Sequence, residues 1–363
     1  MSPRQVAKAL RFHARQARIR ALAAPRHFPW IRRRLHLPAN ETFEPLADAT
    51  PSHVTIQLLD PAESFRRPRP ILPDAPAAAR RFFEDRIIDE CPPRYVAEFH
   101  GGLAWGHPTG GVFTADGIFV PALAHDPSGA RLHTAWTRLR FPAPVDLPGR
   151  TLYLVTPEAA NNYHHWLIDL LPRIGLVRRA GYDLAAFDHV IVNFSRRPYQ
   201  LATLARLGLA EDQLIPANEA LFVRADSLVV PSLKPNPQSL PAGDVAFLRE
   251  TFVPPPPRRG APRRRIFLSR SDASFRRLRD TGGIQALARA YGYEIVSSGD
   301  LDFAAQVSLF ARAESVAGPA GAAFANLVFA RAPVNVVEIS PPGWLTIFHW
   351  MISARLDLAH TIL

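Results

Sequence analysis

The chain has 363 residues, of which 47 % are hydrophobic and 21 % charged, a globular balance with enough length for two cores. It contains no apolar run of the roughly eighteen residues that a transmembrane helix needs, and its basic N-terminus lacks the apolar stretch of a secretory signal. A single cysteine, Cys91, excludes an intramolecular disulfide and a cysteine-based zinc site, and suits a reducing compartment.

The formal net charge is +11, yet residues 1–40 carry ten Lys and Arg and no acid. The remaining 323 residues are therefore close to neutral. The basic character belongs to an arm, and no RNA- or DNA-binding motif accompanies it, so nucleic acid is not an expected partner. Val6, Leu10, Ala14, Ala17 and Ala21 recur at helical spacing among the basic residues. The arm reads either as a segment lying on an anionic membrane surface or as a solvated tail.

Residues 41–150 are rich in proline, with short apolar runs at 54–59, 95–99, 111–113 and 117–121 between Gly, Pro and Asp. This predicts a β-rich extension packed on the first main domain, with one short helix over 82–88. From residue 151 strands and helices alternate. Strands are expected at 151–156, 189–194, 220–223 and 227–231, with helices near 199–208 and 242–252. Pro254 to Pro257 cannot continue a helix or a central strand, so 253–262 reads as a linker. Beyond it the alternation resumes. Strands are expected at 265–269, 293–297, 314–317 and 334–339, and helices at 283–291, 303–313, 322–330 and 344–355. Alternating β and α predicts parallel sheets with helices on both faces. The resulting fold class is α/β, with two Rossmann-like domains at 151–252 and 263–363 and a ligand cleft between them.

Chemistry concentrates in a few places. Residues 161–173 read Asn-Asn-Tyr-His-His-Trp-Leu-Ile-Asp-Leu-Leu-Pro-Arg, directly after a strand-like run. His165 and Asp169 are four apart, so a helix places them on one face, where an imidazole and a carboxylate can move a proton. The alternative is a partly buried hydrogen-bonded pair. Asn162 is placed to cap this helix. Trp166 reads as core, with a sugar-stacking platform as the alternative.

Gly318-Pro319-Ala320-Gly321 lies between a strand and a helix, where glycines let backbone N–H groups approach a phosphate. A tight turn that needs glycine for geometry alone is the competing reading. Arg270 and Arg277 follow the strand 265–269, and guanidinium forks match phosphate oxygens. Glu338 ends the strand 334–339, where a carboxylate either accepts from ribose hydroxyls or caps the next helix. Asn326 follows the glycine turn and is placed to orient it. Asp300-Leu301-Asp302 precedes a helix and reads as an N-cap rather than a metal site.

Taken together, 161–173, the Ser-Arg segment at 269–277 and the run from Gly318 to the Val-Glu-Ile strand resemble glycosyltransferase family 61, the capsular-polysaccharide-type domain of unknown function 563. The resemblance covers roughly residues 150 to 342. It implies a GT-B arrangement and an inverting, metal-independent transfer of a sugar from a nucleotide-diphosphate donor to a surface glycan, with no further cofactor. His165 and Asp169 would be catalytic. Arg270, Arg277, Gly318, Gly321, Asn326 and Glu338 would bind the donor, and Asn162 and Trp166 would face the acceptor. The arm would hold the enzyme at the cytoplasmic face of a membrane, near lipid-linked acceptors. The family usually carries histidine where this chain has Ala320, and Asp280-Thr281 replaces its Asn-Glu. Those departures motivate an alternative, a non-catalytic nucleotide-sugar-binding or glycan-assembly protein of the same fold.

Overall fold

The computed structural model describes residues 14, 17, 28–39, 41–124, 133–234, 237–256, 262–270, 278–341 and 343–363. Most of the basic arm, the middle of the expected linker and Arg277 lie outside the described residues.

The first sheet is mixed. Its strands are β1 (Val54–Asp60), β4 (Arg94–His100), β5 (Leu103–Trp105), β6 (Val112–Phe113), β7 (Val145–Tyr153), β8 (His189–Val192), β9 (Leu214–Pro216) and β10 (Phe222–Pro231). They run in the order β1-β4-β10-β7-β8-β9, with β5 attached to β10 and β6 to β5. A small separate pair joins β2 (Glu63–Arg66) to β3 (Ile88–Cys91).

β10 decides this topology. Its first residues pair antiparallel with β5 and its last five with β4, while its other edge runs parallel to β7. The sequence breaks its apolar run at Arg224 and Asp226, which predicts two strands. Pairing on both edges carries one strand through that polar break, with a register shift at Ala225–Ser227. The expected β-rich extension is therefore continuous with the first sheet rather than a layer upon it. Only β10, β7, β8 and β9 form the parallel part. The run at 117–121 forms isolated bridges rather than a strand.

The second sheet matches the predicted alternation more closely. It contains β11 (Arg264–Leu268), β12 (Glu294–Val296), β13 (Ala313–Pro319), β14 (Asn335–Ile339) and β15 (Ala359–Ile362). All neighbours are parallel, in the order β12-β11-β13-β14-β15. After β12 the chain crosses over β11 and continues on its other side. The carboxyl ends of β11 and β13 thus flank a topological switch point, where open α/β sheets bind ligands. β15 was not expected, because Ala359-His360-Thr361-Ile362 is too short and too polar to stand out.

The helices follow local signals. Asp280 caps 281–290 by accepting from Gly283 N at 2.8 Å, and Asp302 caps 303–311 by accepting from Ala305 N at 2.7 Å. The expected α-helix after the glycine turn is a 3-10 helix, Ala322–Phe329. The two sheets share their packing. The largest buried apolar cluster includes Leu152, Trp166 and Val229 from the first half and Ile266, Phe324 and Met351 from the second. Arg249 donates to the carbonyls of Val328 and Ala330 at 2.8 and 2.6 Å. The last helix, Phe348–Arg355, returns to the extension, where Trp350 Nε1 donates to Pro68 O at 2.9 Å. The fold is thus mixed α/β, with one continuous core beneath two sheets.

Candidate active site

The segment 165–170 is a turn of π-helix that leads into the α-helix Leu171–Arg179. Pro172 has no N–H, so the carbonyl of Ile168 loses the partner that a regular helix would supply. Lys234 fills that gap, with Nζ donating to Ile168 O at 3.2 Å. The same ammonium ion-pairs with Asp169 Oδ1 at 2.5 Å. The other oxygen, Asp169 Oδ2, accepts from His165 Nδ1 at 2.6 Å. On the far side of the imidazole, Nε2 meets Glu158 Oε2 at 3.1 Å. The four groups form a line: Lys234, Asp169, His165, Glu158.

Arg173, one turn beyond Asp169, fixes the ends of two strands. Its guanidinium donates to the carbonyls of Tyr153, Val155 and Pro231 and to Thr156 Oγ1. Tyr153 ends β7 and Pro231 ends β10, and the loops beyond them carry Glu158 and Lys234. One buried arginine therefore sets the spacing of both loops around the histidine. Burial pushes Arg173 down to about 9, since no carboxylate lies beside it.

The line of groups borders a pocket of about 70 Å³, lined by Thr156, Glu158, His165, Asp169, Leu233 and Lys234. Burial opposes charge on His165, but the hydrogen bond and field of Asp169, with Glu158 beyond, raise it above its ordinary value. Burial likewise opposes ionisation of Asp169, yet Lys234 and His165 hold it well below the carboxylate range. Two carboxylates thus flank the imidazole, one at each ring nitrogen, and both favour its charged form. If Glu158 swings away and the proton leaves Nε2, the ring becomes a base whose tautomer Asp169 fixes.

His164 plays no equivalent part. It is buried, its burial keeps it neutral, and its ring lies 6.0 Å from His349 and 5.1 Å from Phe348. These rings lead toward the second sheet. His349 stacks on Phe324, 5.1 Å away, and hydrogen-bonds Glu338 Oε1 at 2.8 Å. His360 takes Glu338 Oε2 at 3.2 Å and Ser353 Oγ at 2.8 Å. Glu338 in turn sits opposite Gly318 in the β13–β14 ladder.

Several expectations need correction on this geometry. Glu338 is 2 % exposed and both its oxygens are engaged by imidazoles, so it neither meets a ribose nor caps the next helix. Asn326 is fully buried, accepting from Tyr163 OH at 2.6 Å and donating to Gln306 Oε1 at 2.8 Å. It ties the two halves together, because a buried amide needs its partners inside the protein. Trp166 is fully buried, as its reading as core expects, with Nε1 donating to Thr203 Oγ1 at 3.0 Å, and the alternative of a face offered to a sugar falls away. Asn162 does cap, since its Oδ1 accepts from His164 N at 3.0 Å.

Arg270 and the glycine turn do come together. The Arg270 guanidinium lies over Gly321, where a Cβ would collide with it. Gly318 has φ of +149°, and a Cβ there would stand 2.6 Å from Leu268 O. Glycine is required at 318 by backbone conformation and by the nearby Leu268 carbonyl, whereas at 321 a Cβ meets only the end of the flexible Arg270 side chain. Both flank the switch point between β11 and β13. Ala320 is fully buried, its N–H bound to Ile339 O.

Sequence reasoning missed Lys234, Glu158, His349 and His360. Lys234 left one trace: it is one of two lysines in a chain that otherwise uses arginine. A buried cation with three tetrahedral donors suits a site where a flat guanidinium fork would not fit. Among the described residues no group of three His, Cys, Asp or Glu is placed to hold a metal ion, and no helix is long and apolar enough to cross a membrane.

The arrangement defines an α/β protein with a line of charged and imidazole groups at the carboxyl edge of one sheet and Arg270 over a glycine turn at the switch point of the other. Residues 163–337 match the family model described as Glycosyltransferase 61, and this segment belongs to that family. The match supports glycosyl transfer in general. No curated protein matches the chain.

Proposed function

We propose that the protein is an inverting, metal-independent glycosyltransferase that moves a sugar from a nucleotide-diphosphate donor to a surface or capsular glycan. The observation that carries this reading is the Lys234–Asp169–His165 line bordering a pocket. In an inverting transfer the acceptor oxygen attacks the anomeric carbon while the bond to the diphosphate breaks. The acceptor proton passes to His165 Nε2, after Glu158 has left it. Lys234 and Asp169 keep Nδ1–H in place, so the ring accepts only at Nε2. The electron pair of the breaking bond goes to the diphosphate, whose charge the Arg270 guanidinium balances. Arg277 would add a second guanidinium. This division of labour is a GT-B one, with the acceptor on the first Rossmann-like half and the donor on the second. The basic arm would keep the enzyme on the cytoplasmic face of a membrane, near lipid-linked acceptors.

A donor panel tests the reading. UDP-, GDP-, CMP- and dTDP-sugars are each offered to the purified protein, with thermal shift and slow donor hydrolysis as readouts. Stabilisation by one nucleotide class, lost in Arg270→Ala, with turnover lost in His165→Ala, is the expected result. No shift with any donor would sink it. A second reading, a non-catalytic binder of the same fold, draws on Ala320 in the turn and on Glu158 occupying His165 Nε2. It predicts donor binding without hydrolysis or transfer, even with extracted glycan acceptors.

A further inference from the structure

A run of three consecutive arginines lies far along the chain from the histidine pocket. The helix Pro29–Leu35 carries Arg32, Arg33 and Arg34 in its last turn. His36 follows in the left-handed conformation, and its N–H reaches the carbonyls of Arg32 and Arg33. The backbone closes its own helix end, so the guanidinium groups are not needed as caps. Arg32, Arg33 and His36 then line a cavity of about 310 Å³ together with Arg224 from β10. The carboxylate in that wall, Asp116, leans on His53 at 3.7 Å, and Arg224 stands 3.9 Å from Asp146. Neither contact neutralises the cavity.

At the start of the same helix two large aromatic side chains stand in solvent. Phe28 is 53 % exposed and Trp30 65 % exposed. Trp30 is three and four residues from Arg33 and Arg34, so the three share a helix face. Aromatic rings next to arginines match the boundary of a lipid bilayer, where rings enter the headgroup layer and guanidinium groups meet phosphate. A site for a soluble phosphate gains nothing from exposing a tryptophan.

We infer that this cavity binds the phosphate of an anionic phospholipid headgroup, with Phe28 and Trp30 seated in the bilayer boundary. The inference rests on the reading of a membrane surface as the partner of the basic arm, not on the sugar-transfer chemistry. It turns a diffuse electrostatic attraction into a site with a wall contributed by β10.

The test uses the full chain and co-sedimentation with phosphatidylcholine vesicles, with and without phosphatidylglycerol. Binding to the anionic vesicles only is expected. Arg224→Gln is the decisive variant, because Arg224 lies in the cavity but not in the arm, and its partly exposed side chain makes it a mild change for folding. It should weaken vesicle binding about fivefold, and Arg32→Gln with Arg33→Gln about 25-fold. Trp30→Ala should weaken it as well, with circular dichroism unchanged in every variant. Vesicle binding that survives Arg224→Gln unchanged would overturn the cavity while leaving the arm as a membrane anchor. Saturable binding of inorganic phosphate without vesicle binding would make it a soluble-anion site and overturn the lipid. Tighter binding to single-stranded RNA than to the anionic vesicles would also overturn it.

Discussion

Two of the carboxylate–imidazole assemblies among the described residues have opposite characters, which their surroundings give them. His165 and Asp169 border a pocket and end in Glu158, a residue open to solvent. Glu338 is buried between His349 and His360, which engage both its oxygens. The pairwise chemistry is nearly the same in both. The difference is access: a group that must exchange protons with a substrate needs one face open, whereas a group that holds elements together works best dry. The sequence alone points to Glu338 as a ligand residue and leaves His349 and His360 unnoticed. The structure places all three in the framework.

The largest effect that would sharpen this contrast is on rate. His165→Ala should lower kcat/KM about a thousandfold with little change in the urea midpoint, as expected for loss of a general base. A large loss of stability with activity retained would reverse the two roles. Next comes the sealed assembly. Glu338→Gln should cost about 3 kcal/mol in a urea titration at neutral pH, because it leaves buried imidazoles without their carboxylate. Burial opposes the charge on Glu338, but the two histidines outweigh it and hold the group at about 2, below the ordinary carboxylate value. Its stabilising effect is therefore present above the ordinary value and lost as pH falls toward 2. The variant should show a flatter loss of stability over that acid range.

Arg270→Ala should weaken nucleotide-diphosphate binding roughly 30-fold, the loss of a charged hydrogen bond to phosphate, while folding is unaffected. Isothermal titration with the donor identified by the panel measures it. Unchanged affinity would remove the switch point from the donor site. The smallest effect concerns Glu158. A base must be deprotonated, so the rate falls as pH drops through the value for His165, which lies above the ordinary one. Glu158→Gln removes one raising carboxylate and should move that acid limb to lower pH. A limb that stays in place would detach Glu158 from the titration.

Much of the second sheet was legible because its signals are local. β11, β13 and β14 are apolar runs bounded by turns, and Asp280 and Asp302 announce their helices by the residues they cap. The first sheet was less legible because β10 recruits partners on both edges from far upstream, pairing Val223 with Val145 on one and Pro231 with Val96 on the other. Pairing energy from distant strands overrides a polar break that local pattern cannot see through. The candidate site divides in the same way. His165 and Asp169 share a helical face, and the spacing of four alone suggests their contact. Lys234 reaches them from the end of another strand, and no local pattern encodes that approach.

The amino-acid sequence by itself determined the α/β class, the family resemblance of the central segment, the shared helical face of His165 and Asp169 and the confinement of charge to an arm. Each depends on neighbours within a turn or two of chain, or on composition. Only the tertiary structure decided that the extension joins the first sheet, that Trp166, Asn326 and Glu338 are interior, and that Lys234 completes the line of groups behind His165. Those outcomes depend on which residues exclude water from which others, and burial is a property of the packed whole.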